Sequence, residues 1–354
     1  MKWLVIIVIL VVLGAGAWLA KEYYSPYRGY SGRLVLVIPP GTRATTVAER
    51  LVQHGVLHHR VPFLIRYWLG RRRHETLKFG EYLFDRPLSV SEVYWKIARG
   101  EVYLHAVVIP EGSDRFEMAR ILHQAVGLNA QQFLSATEDP APIKDLDPQA
   151  PSLEGYLFPD TYRFPRGVSV AQVVSTMLAR FRDVMNSQIH PEAPPDATNL
   201  HRTITLASLV EKETPDPGER PRVAGVFTRR LEKGMLLECD PTVIYALRLS
   251  HSPADLFKGP ITRSDLAVNS PYNTYTHSGL PPGPICSPGL ASIRAALHPA
   301  QGSALYFVSN NHGGHYFANT LAEHYRNVER SRRDLKEMQQ KGSHAMETPS
   351  HATR

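Results

Sequence analysis

A glutamate that closes an apolar helical stripe has the makings of a general acid, and this chain carries one at Glu213. The segment reads Leu206-Ala207-Ser208-Leu209-Val210-Glu211-Lys212-Glu213-Thr214, followed by Pro215. At helical spacing Glu213 follows Val210 by three residues, Leu209 by four and Leu206 by seven, so it continues their stripe. Lys212 points the opposite way, and Glu211 sits nearer the edge of the apolar arc, behind Ala207 and Ile204. Burial against apolar side chains disfavours the anion. Pro215 stops the helix near Thr214, so the negative end of the helix dipole adds to that effect. A carboxyl group kept protonated near neutral pH is what general-acid catalysis needs. Spacing alone favours a plainer reading, a structural ion pair at the helix end with Arg220 or Arg222.

Other chemistries lack their residue patterns. The 16 histidines include no H-E-x-x-H and no Cys/His cluster at ligand spacing. His312 and His315 flank a Gly-Gly turn with no carboxylate nearby, so no metal is expected. No G-x-S-x-G elbow marks an activated serine. The carboxylates in suggestive company are Glu154 in Leu153-Glu154-Gly155-Tyr156, Asp160 after Pro159, Glu211, and Asp240 in Asp240-Pro241-Thr242. Glu211 and Glu213, two residues apart, diverge on a helix and cannot face each other as an acid/base pair. A glycoside hydrolase therefore needs a second carboxylate from elsewhere in the chain. An intramolecular transglycosylase needs none, because a hydroxyl of the sugar attacks its own anomeric carbon. One buried glutamic acid then serves first as acid and afterwards as base. Asn269–Tyr275 offers the amides, hydroxyls and aromatic faces that carbohydrate sites use, and Gly279–Pro284 stiffens the chain behind it. Composition alone fits an ordinary rigid loop there.

These residues need elements to hold them and a compartment to work in. A chain of 354 residues with 43% hydrophobic residues suggests two folded units plus an anchor. A net charge of +7 suits contact with anionic surfaces. Without a basic stripe with interleaved aromatics, a zinc finger or a P-loop, nucleic acid is not expected. Trp3 to Ala20 carries no charge and, as a helix, spans roughly 27 Å, near the ~30 Å of a bilayer's hydrocarbon core. Ala15-Gly16-Ala17 would suit signal-peptide cleavage, but the apolar run continues through Trp18, Leu19 and Ala20, which favours an uncleaved anchor. Flanking charge, with Lys2 on one side and Lys21, Arg28 and Arg33 on the other, sets orientation weakly. Either reading exports the body of the chain.

The expected organisation is an anchor with its cytoplasmic tip over 1–22, a linker over 23–32 and a small α+β module over 33–105. A mixed α/β domain over 106–335 and a polar, disordered tail over 336–354 complete it. Val37-Ile38-Pro39-Pro40-Gly41 with the run Thr45–Leu51 is echoed by Val108-Ile109-Pro110-Glu111-Gly112 with Phe116–Leu122. Both read as strand, Pro/Gly turn and amphipathic helix. Further helices are expected near Val61–Gly70, Ser91–Ala98, Val170–Met185 and Arg222–Lys233, and another opens at Pro241 with Asp240 as its cap. Strands are expected near Tyr82–Phe84, over Tyr156–Phe164, and as a pair at Tyr306–Ser309 and His315–Ala318. Glu138–Pro151 and Met185–Asn199 read as Pro-rich loops, and the basic patch Arg71-Arg72-Arg73 as a solvated loop.

Several segments together resemble the YceG-like (MltG) family of endolytic murein transglycosylases. They are ASLVEKET at Ala207–Thr214, DPTVIY at Asp240–Tyr245, YNTY at Tyr272–Tyr275 and GLPPG at Gly279–Gly283. Ser287-Pro288-Gly289, His298-Pro299-Ala300, LEGYLFPDT at Leu153–Thr161, and Tyr306-Phe307-Val308 with Gly313-Gly314-His315 fit the same order. The resemblance implies a single-pass inner-membrane protein with a LysM-like module over 33–105 and an extracytoplasmic catalytic domain. It implies cleavage of nascent glycan strands between N-acetylmuramic acid and N-acetylglucosamine, leaving 1,6-anhydro ends, without a cofactor. Wall synthases such as penicillin-binding proteins are the implied partners. The second Glu of the family's E-K-E motif, here Glu213, is the implied catalytic residue. Glu154, Asp240, Asn273 and Tyr275 match family motifs and are expected to bind glycan or orient Glu213. If the Asp-Pro-Thr and Gly-Leu-Pro-Pro-Gly motifs line one cleft, Cys239 and Cys286 come within reach of a disulfide. Two other readings stay open, a muramidase using Glu154 or Asp240 to activate water, and a non-catalytic scaffold of the wall-synthesis machinery.

Overall fold

The computed structural model describes residues 1–189, 197–250 and 261–347. The chain divides into two compact units. One comprises Met1–Ala106 with Ala125–Gly127 and Arg163–Val168, the other Val107–Gln124, Leu128–Tyr162 and the described part of Ser169–Arg354.

The first unit begins with helix α1 (Lys2–Tyr24), none of whose residues is buried and which is long and apolar enough to cross a membrane. Strand β1 (Leu34–Ile38) pairs antiparallel with β2 (Gly80–Phe84), Leu34 opposite Phe84 and Ile38 opposite Gly80. Alternation decides its faces, with Leu36 and Ile38 buried and Val35 and Val37 exposed. Helix α2 (Ala44–Gln53) buries Val47, Ala48 and Leu51, and α3 (Val61–Arg71) buries Phe63. Helix α4 (Val90–Arg99) opens on a capping box, in which Ser89 and Glu92 satisfy each other's backbone N–H, and closes on Gly100 in the left-handed region. Its stripe Val90, Val93, Tyr94 and Ile97 completes a core with Leu51, Phe63, Tyr82 and Phe84.

The repeated strand–turn–helix is present, as β1 with α2 and as β3 (His105–Val108) with α5 (Arg115–Val126). Strand β3 pairs with β4 (Thr161–Phe164), which is shorter than the strand expected over Tyr156–Phe164. Tyr156, Leu157 and Phe158 are buried in succession, so no alternating face exists there. Gly155 at φ +87° and Pro159 bend the chain instead.

The second unit is mixed α/β as expected, largely helical, with short two-stranded sheets among its described residues. Its helices are α6 (Ala130–Glu138), α7 (Val170–Val184), α8 (Ala197–Glu213), α9 (Arg220–Glu232), α10 (Asp240–Ser250) and α11 (Leu290–Leu297). Helices α9, α10 and α11 all pack on α8. The hairpin β5 (Tyr306–Ser309) and β6 (His315–Ala318) pairs as expected, Tyr306 opposite Ala318 and Ser309 opposite His315. Part of the Pro-rich loop expected over Met185–Asn199 lies outside the described residues. Met185–Ile189 forms a π-helical turn, and α8 already runs from Ala197. Helix α12 (Leu321–Glu347) continues through 336–347, where a disordered tail was expected, and 348–354 lie outside the described residues. That stretch holds Lys336, Glu337, Met338, Gln339 and Gln340, good helix formers that need no apolar face to propagate a helix already nucleated.

Candidate active site

Helix α8 ends at Glu213, one residue before the Thr214 that precedes Pro215. The Thr214 hydroxyl accepts from Asp216 N at 3.2 Å, and the Asp216 carboxylate accepts from Gly218 N at 2.8 Å, turning the chain into α9. The two glutamates at this helix end part company, as their spacing requires. Glu211 accepts from the Arg220 guanidinium at 3.0 Å and from Gly289 N at 2.9 Å, in a pair whose side chains are 5% and 7% exposed. The structural ion pair that spacing allowed for Glu213 thus belongs to Glu211. Arg222 lies over the Phe317 ring, 3.9 Å from its centroid.

Glu213 reaches a cavity of about 790 Å³, lined also by Arg230, Asp240, Tyr275, Ser309 and His315. It stays partly exposed to that cavity. Burial pushes its pKa up to about 7, and the Asp240 charge adds to the rise. A hydrogen bond with Cys239 and the positive charge of Arg230 act the other way. Burial, with the Glu213 charge behind it, pushes the Cys239 thiol well above its ordinary range, so it remains an S–H donor to Glu213. Cys239 is itself held at both ends. Its N–H donates to the Thr274 hydroxyl at 3.0 Å and its carbonyl accepts from the Thr242 hydroxyl at 2.6 Å. The two threonine hydroxyls meet at 2.9 Å, which laces the DPTVIY and YNTY segments together.

The cavity wall carries fixed charges. Arg230 donates to the carbonyls of Leu305 at 2.7 Å and of Leu236 and Leu237 at 3.0 Å, and to the Glu238 carboxylate at 3.0 Å. His315 is clamped by Glu219, ring Nδ1 at 2.7 Å and backbone N–H at 2.9 Å, which ties the hairpin to the start of α9. The His324 ring stacks on Tyr306, and burial, helped by Arg230, lowers its pKa, so it is neutral at pH 7.

Two of the expected site residues share this cavity with Glu213. Asp240 accepts from the Tyr275 hydroxyl at 2.5 Å, and burial with this bond drives the phenol far up. Asp240 is therefore not the cap of α10. Its carboxylate turns to Tyr275, and the Cys239 carbonyl takes the Thr242 N–H at 3.0 Å. Asn273 and Glu154 do not line the cavity. Asn273 is fully buried, donates to the carbonyls of Leu266 and Val268 at 3.0 and 2.9 Å, and accepts from Tyr275 N at 3.0 Å, so it braces the loop. Glu154, 1% exposed, accepts from Arg115 N and the Tyr245 hydroxyl, each at 3.1 Å. Burial first, then the Asp114 charge, raises its pKa. Leu153, Glu154, Gly155 and Tyr156 are buried one after another, so the motif is internal scaffolding.

At Gly155 the scaffolding leaves no room. A Cβ there would stand 2.5 Å from Pro284 Cβ, at a φ of +87°. Gly155→Ala is expected to cost about 1–3 kcal/mol of stability, and urea denaturation checks it. The cysteines form no disulfide. Both are free and buried, and the Cys286 thiol donates to the Ser208 carbonyl at 3.3 Å while Cys239 turns to Glu213. Arg230 and the Thr242–Thr274 contact were not singled out from the sequence, and Cys239 and His315 were weighed there as a disulfide partner and a metal ligand rather than as parts of this cavity. The available signal was adjacency, since Cys239 directly precedes Asp240, and Gly313-Gly314 directly precedes His315. Among the described residues, three groups able to share a metal ion meet only at Glu22, His58 and His59, in the first unit.

The YceG-like family model matches residues 36–330. An endolytic murein transglycosylase of Bacillus subtilis is 28% identical over 331 residues, covering 89% of this chain and 89% of the relative. One of Streptococcus pneumoniae is 28% identical over 355 residues, and there the match spans 91% of this chain but 63% of the relative. A crystal structure of a YceG-like protein from Listeria monocytogenes is 31% identical, with a TM-score of 0.55 over 83% of this chain and 98% of that one.

Proposed function

The chain belongs to the YceG-like family, and from that premise we propose that it is a membrane-anchored endolytic murein transglycosylase with Glu213 as its single acid and base. The observation that carries the reading is Glu213 itself, a carboxyl group on the wall of a cavity of about 790 Å³ with its pKa pushed up to about 7. The names of the relatives support the substrate, peptidoglycan. Protonated Glu213 gives its proton to the glycosidic oxygen between N-acetylmuramic acid and N-acetylglucosamine as the bond to C1 breaks. Positive charge grows on the muramic ring, the muramic 6-hydroxyl oxygen bonds to C1, and Glu213 takes the proton that hydroxyl releases. No water is consumed and a 1,6-anhydro end results. The muramidase route would need a second carboxylate, and of the two considered only Asp240 shares the cavity. Helix α1 anchors the chain in the cytoplasmic membrane with the residues after it outside, and residues 33–105 act as the LysM-like module, a reading their separate core supports. Glycan strands incubated with the wild type and with Glu213→Gln test the proposal, which fails if the variant cleaves as fast as the wild type.

The thiol beside the acid gives a second handle. The Cys239 bond lowers the pKa of Glu213, so Cys239→Ala is expected to move the alkaline limb of kcat/KM to higher pH. Cys239→Ser keeps a donor and should leave the limb near its wild-type position. A pH–rate profile of the three proteins checks this.

A further inference from the structure

Helix α3 carries apolar side chains on two faces. Phe63, Tyr67 and Gly70 turn to the core of the first unit. Val61, Ile65, Trp68 and Leu69, at spacings of four, seven and eight, form another stripe, on which Val61, Trp68 and Leu69 are 47%, 59% and 55% exposed. A helix of a water-soluble module needs only one such stripe. Part of the outer one meets the anchor, where Ile65 and Leu69 share a groove with Leu19, Ala20 and Tyr23 of α1. The Trp18 ring meets His59, just before α3, at 5.6 Å. Helix α3 is therefore level with the last turns of α1, where an apolar run beginning at Trp3 and roughly 27 Å long reaches the headgroup boundary. Trp and Tyr favour that boundary. Helix α3 then runs directly into Arg71, Arg72 and Arg73, all exposed and in no ion pair among the described residues.

We propose that the outer face of α3 and the Arg71–Arg73 run dock the first unit onto the bilayer that holds α1. Val61, Trp68 and Leu69 enter the headgroup boundary and the arginines meet anionic phospholipid headgroups. Arg71–Arg73 are exposed, as the sequence expectation of a solvated loop has it, and the bilayer gives the run a surface to meet. Continuity with the anchor and charge complementarity single out lipid as the occupant. The surface rests on the anchor reading of α1.

The full chain in lipid nanodiscs tests this, with a nitroxide on Trp68→Cys or, as the anchor control, on Leu10→Cys. Cys239 and Cys286 are fully buried, so the label goes to the new thiol. In discs containing phosphatidylglycerol the label at 68 should be several-fold less open to a water-soluble nickel chelate than to oxygen. Each arginine strengthens such a contact roughly fivefold, so R71E/R72E/R73E should restore access to the chelate, and R71Q/R72Q/R73Q should do so in part. A label at 68 open to the chelate while that at 10 is shielded would overturn the docking surface and leave the anchor standing. A label at 10 open to the chelate would overturn the anchor itself. Shielding at 68 that both triple variants leave unchanged would overturn the part given to the arginines.

Discussion

Glu213→Gln is expected to lower glycan cleavage by about 10²–10⁴-fold, the range that a positioned general acid supplies, while making the folded protein more stable at alkaline pH. The second half follows from linkage. Between pH 4.5 and about 7 the folded chain keeps a proton on Glu213 that the unfolded chain has released. Stability from this carboxyl group is therefore full below 4.5 and is lost as pH rises through about 7. The whole span is worth at most about 3 kcal/mol, and the exposure of Glu213 to the cavity reduces it to about 1–2 kcal/mol at pH 8. Gln carries no such penalty. Denaturant midpoints of the two proteins should therefore coincide near pH 4.5 and separate at pH 8, with the variant higher. A variant that is both inactive and less stable at pH 8 would point to a structural role instead. In the wild type, kcat/KM should fall as pH rises through about 7, because the acid form is lost.

Glu211→Ala should do the reverse. Its carboxylate is buried against Arg220 and also holds Gly289 N, so its loss leaves a buried guanidinium with only Glu111, 3.7 Å away, for a carboxylate partner. Breaking such a pair costs about 3–5 kcal/mol, which for a unit of this size lowers Tm by about 6–20 °C. Cleavage per folded molecule, measured well below the new Tm, should stay within a few-fold of the wild type. Calorimetry beside activity at low temperature separates the two glutamates. Loss of activity in a fully folded Glu211→Ala would mean that the acid role is shared.

Much of this could be read from the chain, for identifiable reasons. Glu213 stood out because a 3.6-residue period and Pro215 fix both its side of the helix and its place at the helix end. The strand–turn–helix repeat and the β5–β6 hairpin were legible because Pro/Gly turns punctuate them. What stayed hidden depends on contacts distant in sequence. Nothing local says that Glu154 faces Tyr245, 91 residues away, rather than a cavity. Asn273 lies in a segment rich in carbohydrate-binding residue types, yet its amide is consumed by the backbone of its own loop. Cys239 was weighed as a disulfide partner, whereas the fold turns its thiol to the acid. The strand over Tyr156–Phe164 was overextended because β-formers stand on both sides of Pro159, and composition does not reveal that Gly155 must turn left-handed under Pro284.

In the proposed reaction one carboxyl group works as acid and then as base while the sugar supplies its own nucleophile. Mass spectrometry of the ends released from uncrosslinked glycan by the purified full-length protein tests it most directly. The released ends should be 1,6-anhydro-muramic, with no oxygen incorporated from ¹⁸O-labelled water, and should disappear in Glu213→Gln. Reducing ends carrying ¹⁸O would contradict it and would move the search for a water-activating base to Asp240.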